Sequence, residues 1–118
     1  MATIFKKENR KLNNLSVVFC SDSYLLKINQ TYLHHDYYTD IITFNLSQAG
    51  SDAIDGEIYI SIDRVRDNAK ALQVTIKQEL HRVIFHGALH LCGYKDKKPA
   101  DIALMRKKED YYLNSYFN

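Results

Sequence analysis

The residues in this chain best placed to do chemistry are two histidines one helical turn apart in an apolar run. Glu79-Leu-His-Arg-Val-Ile-Phe-His-Gly-Ala-Leu-His-Leu-Cys-Gly-Tyr-Lys-Asp96 sets His86 and His90 four positions apart. On an α-helix such a pair shares a face, with about 6 Å between side-chain bases, so two imidazole nitrogens can reach one ion. Gly93 supplies a stop, because glycine takes the left-handed conformation at a helix end without steric penalty. Asp96, three residues on, can then return to the same point. Zinc accepts imidazole nitrogen and carboxylate oxygen, and three protein ligands leave a fourth position open. An ion so held polarises a phosphodiester and lowers the pKa of water. Histidines on buried helices also serve as hydrogen-bonded core residues. The pair alone fits the core reading better, and the glycine and the carboxylate bring the metal reading level with it, so both stay open on spacing.

Other residues of the run are weaker candidates. Cys92 follows His90 by two residues, about 200° round a helix, and so faces away from the pair as a small buried hydrophobe. With only Cys20 besides, no disulfide framework is expected. Glu79 precedes His86 by seven residues, on the same side but about 10 Å farther along the axis. That suits support behind the ligands, or a surface charge. His81 lies on another face and reads as a partly buried, satisfied histidine. Position 87 is glycine where HExxH zinc proteases carry their general base, which argues against proteolysis.

His86-Gly-Ala-Leu-His90-Leu-Cys-Gly93-Tyr94-Lys-Asp96 resembles the signature H-G-x-L-H-L-x-G-Y-D-H of the YbeY family, bacterial metal-dependent endoribonucleases implicated in rRNA maturation and ribosome quality control. Gly56-Glu-Ile-Tyr-Ile-Ser61 is similar to that family's G-D-I-x-I-S strand, and Thr39-Asp-Ile-Ile-Thr-Phe44 to its T-D-V-L-S-F segment. Asn29-Gln-Thr-Tyr32 followed by Asp36 is similar to the approach to that segment, so the resemblance covers most of residues 15–115. It implies a metal-dependent, single-strand endoribonuclease acting in 16S rRNA 3′-end processing and ribosome quality control. It also implies one Zn²⁺ per chain on His86, His90 and Asp96, with His86 and His90 catalytic, and rRNA and small ribosomal subunit proteins as partners. The alternative is a non-catalytic, ribosome-associated RNA-binding assembly factor with a structural metal.

Two departures matter. The family's third ligand is usually histidine where this chain has Asp96, and its arginine after the Thr-Tyr pair corresponds to Leu33. A carboxylate lowers the net charge of a zinc centre, so water bound there is less acidic than with three histidines. His34 and His35, just past Leu33, are either substitutes for the arginine or merely exposed.

At 118 residues the chain is expected to form one domain, residues 1–118. Its 46% hydrophobic and 25% charged residues are those of a soluble globular protein. No apolar run approaches the roughly 20 residues of a membrane span. The start Met-Ala-Thr-Ile-Phe-Lys-Lys lacks the apolar core of a signal peptide, so a cytoplasmic location is expected. A net charge of +2 says little, but its distribution is uneven. Residues 64–108 hold eleven Lys or Arg against four Asp or Glu, and the remainder five against ten. The basic stretch contains the metal motif, which suits a polyanion led toward it. Lys95, Lys97, Lys98 and Arg64 are therefore the candidate nucleic-acid-binding residues, although solvated helix faces are also lysine-rich.

The elements that must position these residues follow from pattern. Residues 2–14 hold the apolar pair Ile4-Phe5 and then polar residues without clear period, and read as an edge strand or loose arm; the resemblance implies a helix here before the next strand, and the stretch between Phe5 and Leu15 is too short for a full one. Residues 15–20 read as a buried strand, followed by a helix to about Tyr32 capped by Ser21 and Asp22. A loop over 34–39 offers Tyr37 and Tyr38 for base stacking or lid packing. Strands are expected over 40–46 and 56–62, separated by a loop, with Thr43 and Ser61 either meeting phosphates or serving local bonding. Asp63 is expected to cap a helix over 64–72, and Thr75-Ile-Lys-Gln78 to open the metal helix near Ile76 as a capping box. Pro99 suits the first turn of a last helix with Ile102, Met105 and Tyr112 inward. The expected fold class is α+β (α/β-like): a small mixed β-sheet covered by helices, with the metal-binding helix central.

Overall fold

The computed structural model describes residues 2–117. The chain runs α1 (Ala2–Lys7), β1 (Lys11–Cys20), α2 (Asp22–Leu33), β2 (Ile41–Asn45), β3 (Ala53–Ser61), α3 (Ile62–Leu72), α4 (Ile76–Leu91) and α5 (Pro99–Phe117). The sheet has the order β1-β3-β2, with β1 parallel and β2 antiparallel to β3, an α+β arrangement with a small mixed sheet. Alternation along β3 buries Ile54, Ile58 and Ile60 on one face, where they join Val83, Ala88 and Leu89 of α4 in the main core. On the other face α2 contributes Leu25 and Ile28 to a smaller cluster with Ile42, Phe44 and Tyr59. No described helix is long and apolar enough to cross a membrane.

α4 is the hub, packed against α1, α3, α5, β2 and β3. Thr75 caps it by accepting from the Gln78 backbone N–H at 3.0 Å. Its close approach to the sheet depends on Gly87, where a Cβ would lie 2.8 Å from Ile41 Cδ1 and 2.9 Å from Ile58 Cδ1. The residue between the two histidine turns thus has no side chain because the sheet occupies that space.

Several expectations are corrected. Residues 2–14 are an edge strand only in part: Ala2–Lys7 is a short helix whose Ile4 and Phe5 enter the main core, while β1 starts at Lys11 and runs along the sheet edge, so that residues 15–20 are not the buried strand expected and Phe19 is exposed. β3 starts at Ala53 rather than Gly56, and Ile62 opens α3 instead of closing the strand. Ser61, not Asp63, caps α3, accepting from the Arg64 backbone N–H while its hydroxyl donates to Asp22. Fully buried and so engaged, Ser61 has no free hydroxyl for a phosphate. Asp63 instead accepts from the Asp22 backbone N–H at the start of α2. On α5, Met105 and Tyr112 are buried as expected, but Ile102 is 48% exposed.

Candidate metal centre

α4 ends in a Schellman motif: the Tyr94 N–H bonds Leu89 O and the Gly93 N–H bonds His90 O, with Gly93 at φ +106°. This tight reversal carries Asp96 back over the last turn. Its Oδ2 lies 3.2 Å from His86 Nε2 and 3.3 Å from His90 Nε2, and the two Nε2 atoms are 3.0 Å apart. The three residues anticipated from spacing form one cluster able to hold a metal ion.

The outer nitrogens explain why the inner ones converge. His90 Nδ1 is 2.9 Å from Tyr94 O, a carbonyl that can only accept, so Nδ1–H donates. His86 Nδ1 donates to Glu109 Oε2 at 2.6 Å, and Glu109 is held in turn by Arg82 at 3.1 Å. In the neutral imidazoles both Nε2 atoms then carry lone pairs, facing each other and a carboxylate oxygen. Three acceptors so close repel one another unless a cation lies between them. A tetrahedral zinc with bonds of about 2.1 Å separates its ligands by about 3.4 Å, close to the spacings here. The donor set, two nitrogens and one oxygen, also suits that ion. Burial opposes the charged form of His86, but Glu109, then Asp96 and Asp40, outweigh it and raise the imidazole above its ordinary value. A site that strengthens proton binding in this way attracts a metal cation for the same reason.

Two cavities flank the cluster. One, of about 510 Å³, is bordered by β2 and the loop after α2, and is lined by Leu33, His35, Tyr37, Thr43 and Lys97 as well as the three candidate ligands. The other, of about 440 Å³, lies toward α3 and α5 and is lined by His86, Asp96, Glu79, Arg82, Arg106 and Glu109, among others. Of the candidate nucleic-acid-binding residues, Lys97 lines the first cavity, while Lys95 and Lys98, its neighbours in the chain, are exposed and line neither cavity. Arg64 is elsewhere, paired with Asp22 at 3.1 Å and lying 4.9 Å over the Tyr38 ring. His35 reaches the first cavity, stacked on Tyr37, whereas His34 serves as the left-handed cap of α2. Cys92 is buried in the core, with burial foremost pushing its thiol up to about 11. His81 bonds Lys77 O and packs on Phe85, Tyr116 and Phe117.

Sequence reasoning missed Glu109 and Asp40. Glu109 is only 4% exposed, on the inward face of α5 with Met105 and Tyr112. An acidic residue on an apolar stripe at helical spacing was the available signal. Asp40 lines both cavities and accepts from Asn68 at 3.4 Å, with burial above all raising its carboxyl. Glu79, placed behind the ligands by its spacing, is buried and lines the second cavity. Its carboxyl is raised chiefly by burial, with Arg82 opposing and Asp40 and Glu109 assisting.

Comparison with known proteins identifies relatives along nearly the whole chain. The family model described as Endoribonuclease YbeY matches residues 1–117. A relative named Endoribonuclease YbeY from Cytophaga hutchinsonii is 54% identical over 112 residues, covering 95% of this chain and 78% of the relative. Another of that name from Flavobacterium psychrophilum is 49% identical over 116 residues, covering 98% and 81%. A solution structure of a Thermotoga maritima protein superposes with a TM-score of 0.65 at 31% identity, covering 94% of this chain and 72% of that one. On these matches, with the motif helix and its three converging side chains, the chain belongs to the YbeY endoribonuclease family.

Proposed function

We propose that this chain is a metal-dependent endoribonuclease that cleaves single-stranded rRNA, acting in the cytoplasm in 16S rRNA 3′-end maturation and ribosome quality control, alongside small-subunit proteins. His86, His90 and Asp96 hold one zinc ion, with the two histidines at the catalytic centre. The observation that carries the reading is the convergence of two Nε2 atoms and Asp96 Oδ2, each imidazole fixed from behind through Nδ1. A zinc ion bound there supplies Lewis acidity toward a phosphoryl oxygen and acidifies water. The chain's own residues do the rest. Glu109 and the Tyr94 carbonyl hold the imidazole protons on the outer nitrogens. Lys97 sets a positive charge in the cavity beside the cluster, with Lys95 and Lys98 near it and Arg64 farther off. Tyr37, 56% exposed at the cavity, offers a ring on which an unpaired base can stack.

The test compares the wild type with His86→Ala and His90→Ala for metal content by elemental analysis and for cleavage of single-stranded RNA. The wild type is expected to carry one zinc per chain. The variants should lose it, with cleavage falling about a thousandfold, the equivalent of roughly 4 kcal/mol of transition-state stabilisation. Equal cleavage by all three preparations sinks the enzyme reading. One observation favours a second reading: Leu33 lines the cavity without a charge where the resemblance sets an arginine. A wild type that binds zinc and RNA without cutting would establish that alternative, an assembly factor with a structural metal.

A further inference from the structure

The cavity of about 510 Å³ beside β2 contains one imidazole that the metal centre does not use. His86 and His90 face the candidate ion through Nε2 and are bonded outward through Nδ1, so neither is free to pass a proton to a substrate. His35 lines the same cavity and is exposed. Its ring is stacked on Tyr37, with centroids 5.1 Å apart and planes 21° from parallel, and its Nδ1 lies 3.0 Å from the Tyr37 hydroxyl. Nε2 is the nitrogen left over. The loop that presents it is held from behind. The carbonyl of Asn29, a fully buried residue, accepts from the His35 backbone N–H at 3.1 Å, and Asn29 Nδ2 donates to Tyr37 O at 2.9 Å. Gln30 donates to Asp36 at 2.6 Å. Two residues of α2 thus fix the segment, and fixed geometry is what a group taking part in chemistry needs most.

We infer that His35 is the general acid of the cleavage reaction, protonating the sugar oxygen that leaves phosphorus. The inference rests on the endoribonuclease reading above. A bond from phosphorus to the incoming oxygen forms, and the proton of that oxygen passes to solvent. The bond to the departing oxygen breaks, and the His35 Nε2 proton moves to it, so that it leaves as a hydroxyl. Solvent then returns a proton to the imidazole. Imidazole is the side chain that exchanges protons near neutral pH. Nδ1–H stays bonded to the Tyr37 oxygen before and after Nε2 gives up its proton, so the ring keeps its place through the step. The other proton carriers of the cavity fit the role less well. Lys97 and Tyr37 are of types that hold their protons too tightly near neutral pH. Asp40 is coupled electrostatically to His86, so a cation held there favours its carboxylate, which has no proton to give.

The experiment measures single-turnover cleavage of single-stranded RNA by zinc-loaded wild type, His35→Gln and Asp40→Asn. Each is given an ordinary substrate and one whose departing bridging oxygen, identified from the ends of the wild-type products, is replaced by sulfur. A thiolate leaves without being protonated, so a missing acid no longer matters. His35→Gln should slow the ordinary substrate about a hundredfold or more and the sulfur substrate by no more than about threefold. Its zinc content by elemental analysis and its RNA affinity by fluorescence anisotropy should stay within about twofold of wild type, since the proton is given only in the transition state. Asp40→Asn should slow the two substrates alike or not at all. Equal losses on both substrates in His35→Gln, loss of zinc from that variant, or a sulfur substrate that rescues Asp40→Asn instead would overturn the inference. Wild type that cuts RNA no faster than His35→Gln sinks the role of His35 and leaves the enzyme. Wild type that binds zinc and RNA but cuts neither substrate sinks the endoribonuclease reading and the role of His35 together.

Discussion

Glu109 determines which nitrogen of His86 is available to an ion. By accepting from Nδ1–H at 2.6 Å it turns the Nε2 lone pair toward His90 and Asp96, and Arg82 keeps the carboxylate itself in place. Partners behind a ligating histidine orient the ring and raise its basicity, and their loss weakens metal binding by about 10–100-fold. Glu109→Ala should therefore weaken zinc affinity within that range and Glu109→Gln somewhat less, since its amide oxygen still accepts without the charge. Competition against a chromophoric chelator measures this, and an unchanged dissociation constant in both variants would remove Glu109 from the site. His86, His90 and Asp96 were legible in the sequence because they fall within one helix end and its reversal, where spacing alone sets geometry. Glu109 was not, because it meets His86 only through the packing of α5 on α4, across 23 residues of chain.

At the scale of elements, Glu8 ties the start of the chain to the site. Just past α1, its carboxylate accepts from the hydroxyls of Tyr94 and Tyr112 and from Lys108, so it joins α1 to α5 and to the turn that carries Asp96. Burial alone would raise Glu8, but the donors from Tyr112, Tyr94 and Lys108 together hold it below the ordinary glutamate value. A carboxyl lowered on folding contributes stability that is full above its unfolded pKa and lost as pH falls through the folded one. Wild type should therefore exceed Glu8→Gln by about 1–3 kcal/mol in urea unfolding at pH 7, with the gap closing as pH drops below about 4. A gap constant with pH would show that the charge on Glu8 contributes nothing. The helix it anchors illustrates what local pattern cannot show. α4 was legible from the Thr75 cap and the Gly93 stop, both chemistry of neighbouring residues. α1 is six residues long, too short to form alone against the cost of nucleation, and it exists because Ile4 and Phe5 are buried in the main core, with the helix packed on β1 and α4. The early start of β3 was open to reading, since Ile54 stands in register with Ile58 and Ile60 at two-residue spacing through Gly56, and the pairing of Ala53 with Lys11 holds that extra length in the sheet.

For the whole molecule the relevant quantity is the placement of charge. The basic stretch of residues 64–108 spans α3, α4 and the first half of α5, and the candidate metal cluster sits within it, with Asp40 and Glu109 from outside the stretch adding carboxylates beside it. Each phosphate contact to a single strand releases counterions and steepens the fall of log affinity with log salt by about 0.7. Lys97 lines the cavity beside His86 and His90, and no carboxylate pairs with it among the described residues. Arg64 is already neutralised by Asp22 and covers the Tyr38 ring. Lys97→Ala should therefore flatten the salt slope of single-stranded RNA binding by about 0.7, and Arg64→Ala by less than half of that. Fluorescence anisotropy between 50 and 300 mM salt, roughly the range over which such contacts are screened, reads both slopes. Equal flattening by the two variants would mean that RNA displaces Asp22 from Arg64 and follows the α2–α3 side of the domain as well. No flattening by Lys97→Ala would direct the strand away from the first cavity, leaving the Glu79 side as its path to the metal.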